Sequence, residues 1–190
     1  IGHKRMLFCI PLYAANHEQH DLIVGSKGAF IETIEGIYNL YKAQLLIEIR
    51  IVVFKYNFLW LNDFSSFLYR NFPFVRHVAF MGMEYTGNAA NKLEDFWIDP
   101  YDYKKQLHAG VWFLHQRNMN VSIYNIPLCL LEKKSRIFAR DSISSWKKMN
   151  LPICDNCSIK KQCSGFFETS IRQSKYFGIK VGAEIENNID

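Results

Sequence analysis

With 190 residues, 49% of them hydrophobic and 15% aromatic, the chain has enough apolar material for a substantial core and does not read as a disordered segment. Its 23 Lys and Arg against 18 Asp and Glu leave a net charge of +5, and the charges are interleaved, so no dense basic stripe marks a nucleic-acid surface. No apolar run approaches the ~20 residues that span a bilayer, and Ile1-Gly-His-Lys-Arg5 does not resemble a secretion signal; the expected setting is cytoplasmic, with neither membrane nor nucleic acid as partner.

The first element is residues 6–13, a short continuous apolar run that reads as a strand buried on both faces, the kind that belongs to parallel sheets. The polar stretch 14–21 follows at its C-terminal end, where parallel α/β folds place their chemistry. It carries His17 and His20, three apart, which are candidate metal ligands or simply a solvated pair. After Gly28, the residues Phe30, Ile34, Ile37 and Tyr41 recur at helical spacing opposite Glu32, Glu35, Asn39 and Lys42, which predicts an amphipathic helix. Residues 46–54 read as a second strand, apolar except for Glu48 and Arg50, which stand two apart and therefore on one face. Two readings apply: the pair neutralises itself, or Arg50 points into a barrel interior to hold an anionic group.

Trp60, Phe64, Phe67, Leu68 and Phe72 supply the apolar stripe of a second helix ending before Pro73. Residues 77–83 form a third buried strand, followed by Glu84-Tyr-Thr-Gly87. There Gly82 and Gly87 permit close backbone approach and Glu84 suits a ribose hydroxyl or an amine, unless these residues only serve a tight turn. Strand and helix alternate, which demands right-handed crossovers and a parallel sheet. Asp99 as N-cap with Pro100 at the first helical position starts a further helix, lined by Tyr103, Leu107, Val111 and Leu114 and stopped at Asn118-Met-Asn120. Residues 121–126 predict a strand leading to Cys129, and 141–148 a short capped helix leading into a cysteine-rich loop. A soft boundary is expected near residue 118, dividing 1–118 from 119–190, and the last twenty residues read as a tail. There is no internal repeat, P-loop, Gly-x-Gly-x-x-Gly or Gly-x-Ser-x-Gly.

Cys154, Cys157 and Cys163 fall in one short polar loop. A Cys-x2-Cys turn presents two thiolates to one metal and Cys163 can fold back as a third ligand, with Cys129 the best fourth. The loop is rich in Asp, Asn, Lys and Gln, whereas structural thiols prefer apolar surroundings, and no signal implies an oxidising compartment. Thiolates suit both zinc and iron–sulfur clusters; one knuckle with a lone cysteine on either side leans towards the cluster.

Taken together, Ile10-Pro-Leu-Tyr13, Gly28-Ala-Phe30, Glu48-Ile-Arg-Ile-Val52, Phe80-Met-Gly-Met-Glu84 with Thr86-Gly87, Trp97-Ile-Asp-Pro-Tyr101, Ile126-Pro-Leu-Cys129, Ala139-Arg-Asp-Ser-Ile-Ser-Ser-Trp146 and Cys154-x2-Cys157-x5-Cys163-Ser-Gly-Phe-Phe167 resemble the C-terminal part of the His-Xaa-Ser system radical SAM maturases. The resemblance covers nearly the whole chain. It implies a partial (β/α)6 barrel that binds a 4Fe-4S cluster and S-adenosylmethionine, forms a 5′-deoxyadenosyl radical, and modifies a ribosomally made precursor peptide carrying His-Xaa-Ser repeats. On this mapping the class is α/β, with 1–118 the C-terminal half of the radical SAM barrel and 119–190 a small cysteine-rich auxiliary-cluster region. The strands at 6–13, 46–54 and 77–83 would be the fourth to sixth of the barrel. Cys129, Cys154, Cys157 and Cys163 would hold an auxiliary 4Fe-4S cluster, while Cys9 matches no ligand position. Tyr13, Asn16, Arg50 and Glu84, in or just beyond the strands, are expected to line the S-adenosylmethionine pocket.

The family's Cys-x3-Cys-x2-Cys loop is not in this sequence, nor are its first three strands. The expectation is therefore a C-terminal part, inactive alone, completed by a separate N-terminal half or by a paired maturase; the start at Ile1, without a Met, agrees. Two other readings stay open: a non-catalytic peptide-binding module and a zinc-stapled structural domain.

Overall fold

Five strands, β1 (Leu7–Pro11), β2 (Leu46–Val53), β3 (His77–Gly82), β4 (Val121–Tyr124) and β5 (Ala139–Arg140), make one parallel sheet in the order 1-2-3-4-5. The computed structural model describes residues 6–171, and the expected C-terminal tail lies outside them. Sequential order means that every crossover steps the same way, and right-handed connections then place the crossover helices on one face. Those helices are α1 (His17–Val24) and α2 (Ala29–Lys42) before β2, α3 (Leu61–Asn71) before β3, and α4 (Asn88–Asn91), α5 (Leu93–Phe96) and α6 (Pro100–His115) before β4.

The core lies between that face and the helices. Ile47, Ile49, Ile51 and Val53 of β2, Val78 and Phe80 of β3, and Val121 and Ile123 of β4 join Ile37 of α2, Phe64 and Leu68 of α3, and Leu107 and Val111 of α6 in one apolar cluster. β2 is central because all four of its helix-facing side chains are β-branched, which suits a pleated surface packed on one side. Truncating the fully buried Ile49 to Ala would cost about 2–5 kcal/mol. α6 starts where expected: Asp99 Oδ1 accepts from the Tyr101 N–H at 2.9 Å, with Pro100 in the first turn. Asn118, in the left-handed region at φ 59°, follows its end.

The parallel α/β class and the buried faces of the middle helices match expectation; several details differ. β1 is an edge strand, half exposed rather than buried on both faces. Tyr41 lies outside the core and stacks on Phe74 at 3.9 Å between ring centroids. Trp60 ends a 3-10 turn (Phe58–Trp60) ahead of α3 and is half exposed, so it is not part of the buried stripe. Beyond residue 118 the chain adds β4 and β5 to the same sheet. β4 stops at Tyr124, since Asn125 adopts a left-handed φ of 62°. Residues 141–148 do not form a helix. Ser142 spends its hydroxyl on Asn125, and Ser144 O accepts from the N–H groups of both Lys147 and Lys148, closing a turn that runs into β6 (Lys148–Met149). β6 pairs antiparallel with β7 (Phe166–Phe167) beside the cysteine loop.

Candidate functional site

Strand alternation puts a different set of side chains on the second face of the sheet, and the register aligns them in rows. Cys9, Glu48 and His77 stand abreast; Pro11, Arg50, Ala79 and Ser122 form the next row; Val52, Met81, Tyr124 and Arg140 the third. A parallel strand covered on both faces is apolar throughout, so this polar face is the departure that requires explanation.

Glu48 is the hub of that face. Its Oε1 accepts from Arg50 Nε at 2.7 Å and its Oε2 from His77 Nδ1 at 2.8 Å, and the Cys9 thiol bonds it as well. A carboxylate has nothing to donate, so Nδ1 of His77 carries the proton and Nε2 pairs with Ser122 Oγ at 3.0 Å. Burial pushes the Glu48 carboxyl up, and its bonds to Arg50, His77 and Cys9 outweigh that and hold it below its ordinary value. Burial, followed by the charge of Glu48, pushes the Cys9 thiol up, so Cys9 is kept as a thiol rather than a nucleophile. The Glu48 and Arg50 pair neutralises itself through Nε, as the first of the two sequence readings expected, and the Arg50 side chain, 45% exposed, faces a cleft.

That cleft, of about 450 Å³, opens over the small Ala79 and is walled by Glu48, Arg50, Tyr124 and Glu84. A second cleft of about 540 Å³, mostly apolar, adjoins it at the C-terminal ends of β1 to β3, between Tyr13, Phe54, Met83 and Phe96. The two share Met81, Glu84 and Asn125. Their position is where parallel α/β folds bind ligands. Gly82 is required there, since a Cβ would stand 2.6 Å from the Asn125 carbonyl oxygen.

Of the four residues expected around one ligand, Arg50 and Glu84 share the first cleft and Tyr13 and Glu84 the second. Asn16 joins neither. Its Oδ1 accepts from the Gln19 N–H at 2.9 Å as the N-cap of α1, and it borders a separate hollow of about 250 Å³. The histidines of the same stretch part company: His20 is buried and its Nδ1 accepts from the Tyr13 N–H at 3.3 Å, while His17 pairs with Glu18 at the surface. Sequence reasoning missed His77, Ser122, Asn125 and Lys147. Lys147 Nζ sits 2.8 Å from Glu84 Oε2, so Glu84 is already partnered across 63 residues of chain. Only the Asn at the end of β4, a residue type that tolerates left-handed backbone, offered a local signal.

All five cysteines are thiols and half buried. Cys154 lies in a 3-10 turn (Pro152–Asn156) that Cys157 caps, Cys163 caps the next one (Lys160–Gln162), and both are in electrostatic reach of Cys154, whose thiol is pushed up by burial more than by any other cause. Cys163 Sγ accepts two backbone N–H groups at 3.4 Å, from Gly165 and from Leu128. The Leu128 bond fastens the turn that carries Cys129 to the cysteine loop, and Ser164 Oγ adds a second tie to Ile126 O at 2.9 Å. Amide donors aimed at sulfur stabilise a thiolate, so the donor chemistry fits a thiophilic metal. The thiols are neighbours rather than a closed cage: among the described residues no three His, Cys, Asp or Glu side chains are gathered as a metal-holding group.

Burial pushes the Tyr85 hydroxyl up to about 12 and that of the fully buried Tyr103 up as well; Tyr85 bonds the backbone of Phe96 and Ile98 instead of facing a ligand. No helix among the described residues is long and apolar enough to cross a membrane. The fold and face thus define a singly wound parallel α/β sheet with a polar cleft at its strand ends. No protein-family model, no curated protein and no solved structure matches the chain.

Proposed function

We propose that these residues are the C-terminal part of a radical SAM enzyme that modifies a ribosomally made peptide, with an auxiliary iron–sulfur cluster on Cys129, Cys154, Cys157 and Cys163. The observation that carries this reading is the convergence of Arg50 and Glu84 on one cleft at the C-terminal ends of a singly wound parallel sheet, on the polar face that a closed barrel turns inward. The resemblance read from the sequence supplies the reaction class.

In this reading Arg50, steadied by Glu48 through Nε, offers its outer nitrogens to a carboxylate of S-adenosylmethionine. Glu84 accepts an ammonium group in exchange for Lys147. Tyr13, Phe54 and Met83 exclude water from the adjoining cleft. An iron–sulfur cluster on the four thiols would supply a one-electron redox centre. Since the sequence holds no Cys-x3-Cys-x2-Cys, cleavage of S-adenosylmethionine is assigned to a barrel half or paired maturase outside these residues.

The test is anaerobic reconstitution with iron and sulfide. A brown protein with broad visible absorbance and bound iron supports the reading. A colourless protein that takes up zinc instead makes the loop a structural staple, and one that takes up neither removes the metal site.

A further inference from the structure

We propose that the Glu84 carboxylate and the face of Trp146 form a cation seat in the wall of the Arg50 cleft, and that Lys147, which fills this seat, is a built-in competitor displaced only by a ligand carrying a cation and a carboxylate together. This deepens the reading above, in which Arg50 takes a carboxylate and Glu84 a cation, and rests on it for the ligand.

Lys147 Nζ lies 2.8 Å from Glu84 Oε2 and 4.8 Å from the centroid of the Trp146 ring, and all three residues line the cleft that Arg50 lines. Trp146 is 80% exposed, an unusual place for a large apolar ring, and indole is the side chain whose face attracts cations best. The strap that carries these residues, 141–149, is held apart from the seat. Ser142 Oγ accepts from the Asn125 N–H and donates to Asn125 Oδ1, both at 2.9 Å, and Ile143 is buried. Ser144 O accepts from the N–H groups of Lys147 and Lys148 at 2.8 and 3.0 Å, and Lys148 and Met149 pair with Phe167 and Phe166 in the β6–β7 ladder. The Lys147 side chain alone has to swing for the seat to open, and its ion pair, with both partners about a third exposed, is a weak hold.

A weak hold still excludes weak ligands, because the tether keeps the Lys147 ammonium at a high effective concentration beside the seat. A bare cation offers Glu84 and Trp146 nothing that Lys147 does not already supply. A ligand whose carboxylate also meets Arg50 gains a second charge-assisted contact that Lys147 cannot make, and the displaced ammonium returns to water. The cleft thus selects zwitterions, with an ammonium or a sulfonium as the cation.

Butylammonium, the lysine side chain without its tether, probes the seat, read by the NMR signal of the Trp146 indole N–H, which is assigned by its loss in Trp146→Phe. In the natural protein it should leave that signal unmoved up to about 20 mM. In Lys147→Ala it should shift the signal saturably, and adding Glu84→Gln to that variant should abolish the shift. With the upstream barrel half or paired maturase supplied, Lys147→Ala should bind S-adenosylmethionine about tenfold more tightly than the natural protein, and Lys147→Arg, which keeps a competitor, should not. An equal gain with S-adenosylhomocysteine puts the ligand's ammonium in the seat; a gain confined to S-adenosylmethionine puts its sulfonium there. If Lys147→Ala does not fold, Lys147→Met, which keeps most of the stem, carries the affinity comparison. No shift with butylammonium in Lys147→Ala, or the same shift in the natural protein, overturns the seat. S-adenosylmethionine binding that is unchanged or weaker without Lys147 overturns the competitor and leaves the reading above standing. Butylammonium behaving as expected while S-adenosylmethionine binds neither protein keeps the seat and overturns that reading.

Discussion

Nδ1 of His77 lies 2.8 Å from Oε2 of Glu48, and through that ring a buried carboxylate on β2 reaches Ser122 on β4, 3.0 Å from Nε2. Three adjacent strands are thus cross-linked by side chains on the face that carries no apolar core. Glu48→Gln should destabilise the fold by about 2 kcal/mol at neutral pH, because Arg50 and His77 lose a charged acceptor. The net effect of its bonds lowers the Glu48 carboxyl, so its stabilisation is present above the unfolded glutamate value of 4.5 and is lost as pH falls from there through the lower folded value. Urea denaturation across this range should show the variant and the natural protein converging on the acid side; a constant gap would contradict the assignment.

Gly165 stands at φ +69°, and a Cβ there would meet the Met149 carbonyl oxygen at 2.9 Å, while its N–H points at Cys163 Sγ. Gly165→Ala should cost at least about 1 kcal/mol in folding and weaken zinc or iron binding about tenfold by turning the donor off the sulfur. Thermal melts with and without metal separate the two effects, and undiminished affinity would mean that the bond does not serve the thiolate.

The cysteines should sort by role. Cys154→Ala or Cys157→Ala should abolish tight metal loading, since the knuckle is gone, whereas Cys9→Ala should leave loading intact because Cys9 lies on the sheet face against Glu48. Metal content after desalting checks this. Iron lost on replacing Cys9 but kept on replacing Cys129 would disprove the choice of fourth ligand.

Arg50→Ala should weaken S-adenosylmethionine binding about tenfold or more when the upstream barrel half or paired maturase is supplied, if its outer nitrogens meet the ligand. If Arg50 serves only Glu48, calorimetry will show unchanged binding and a lower melting temperature.

β1 ends the sheet with one backbone edge unpaired among the described strands, and Leu7 beside it is 45% exposed. Such an edge invites strand-to-strand association. Leu7→Lys should lower self-association in sedimentation velocity without changing the melting temperature; an oligomer indifferent to the substitution would place the contact elsewhere.

By itself the sequence determined the local structure. A β-branched-rich run interrupted only by Glu48 and Arg50 made β2, a short apolar run from Val78 to Met81 made β3, helical spacing of Phe30, Ile34 and Ile37 made α2, and Asp99 with Pro100 made the start of α6, because period, capping and chain stiffness act within a few residues. It also marked Glu48 and Arg50 as an oddity and the cysteine loop as a cluster. Only the tertiary structure decided what these groups touch. His77 reached Glu48 across 29 residues, Leu128 reached Cys163 across 35, and Lys147 reached Glu84 across 63. The same distance effect turned residues 141–148 from the helix their capping pattern predicts into a strap, since Ser142 finds a better partner in Asn125 than in its own backbone. Sheet register and strand order place these partners, and both are set by the packing of the whole α/β layer, which no short window of sequence contains.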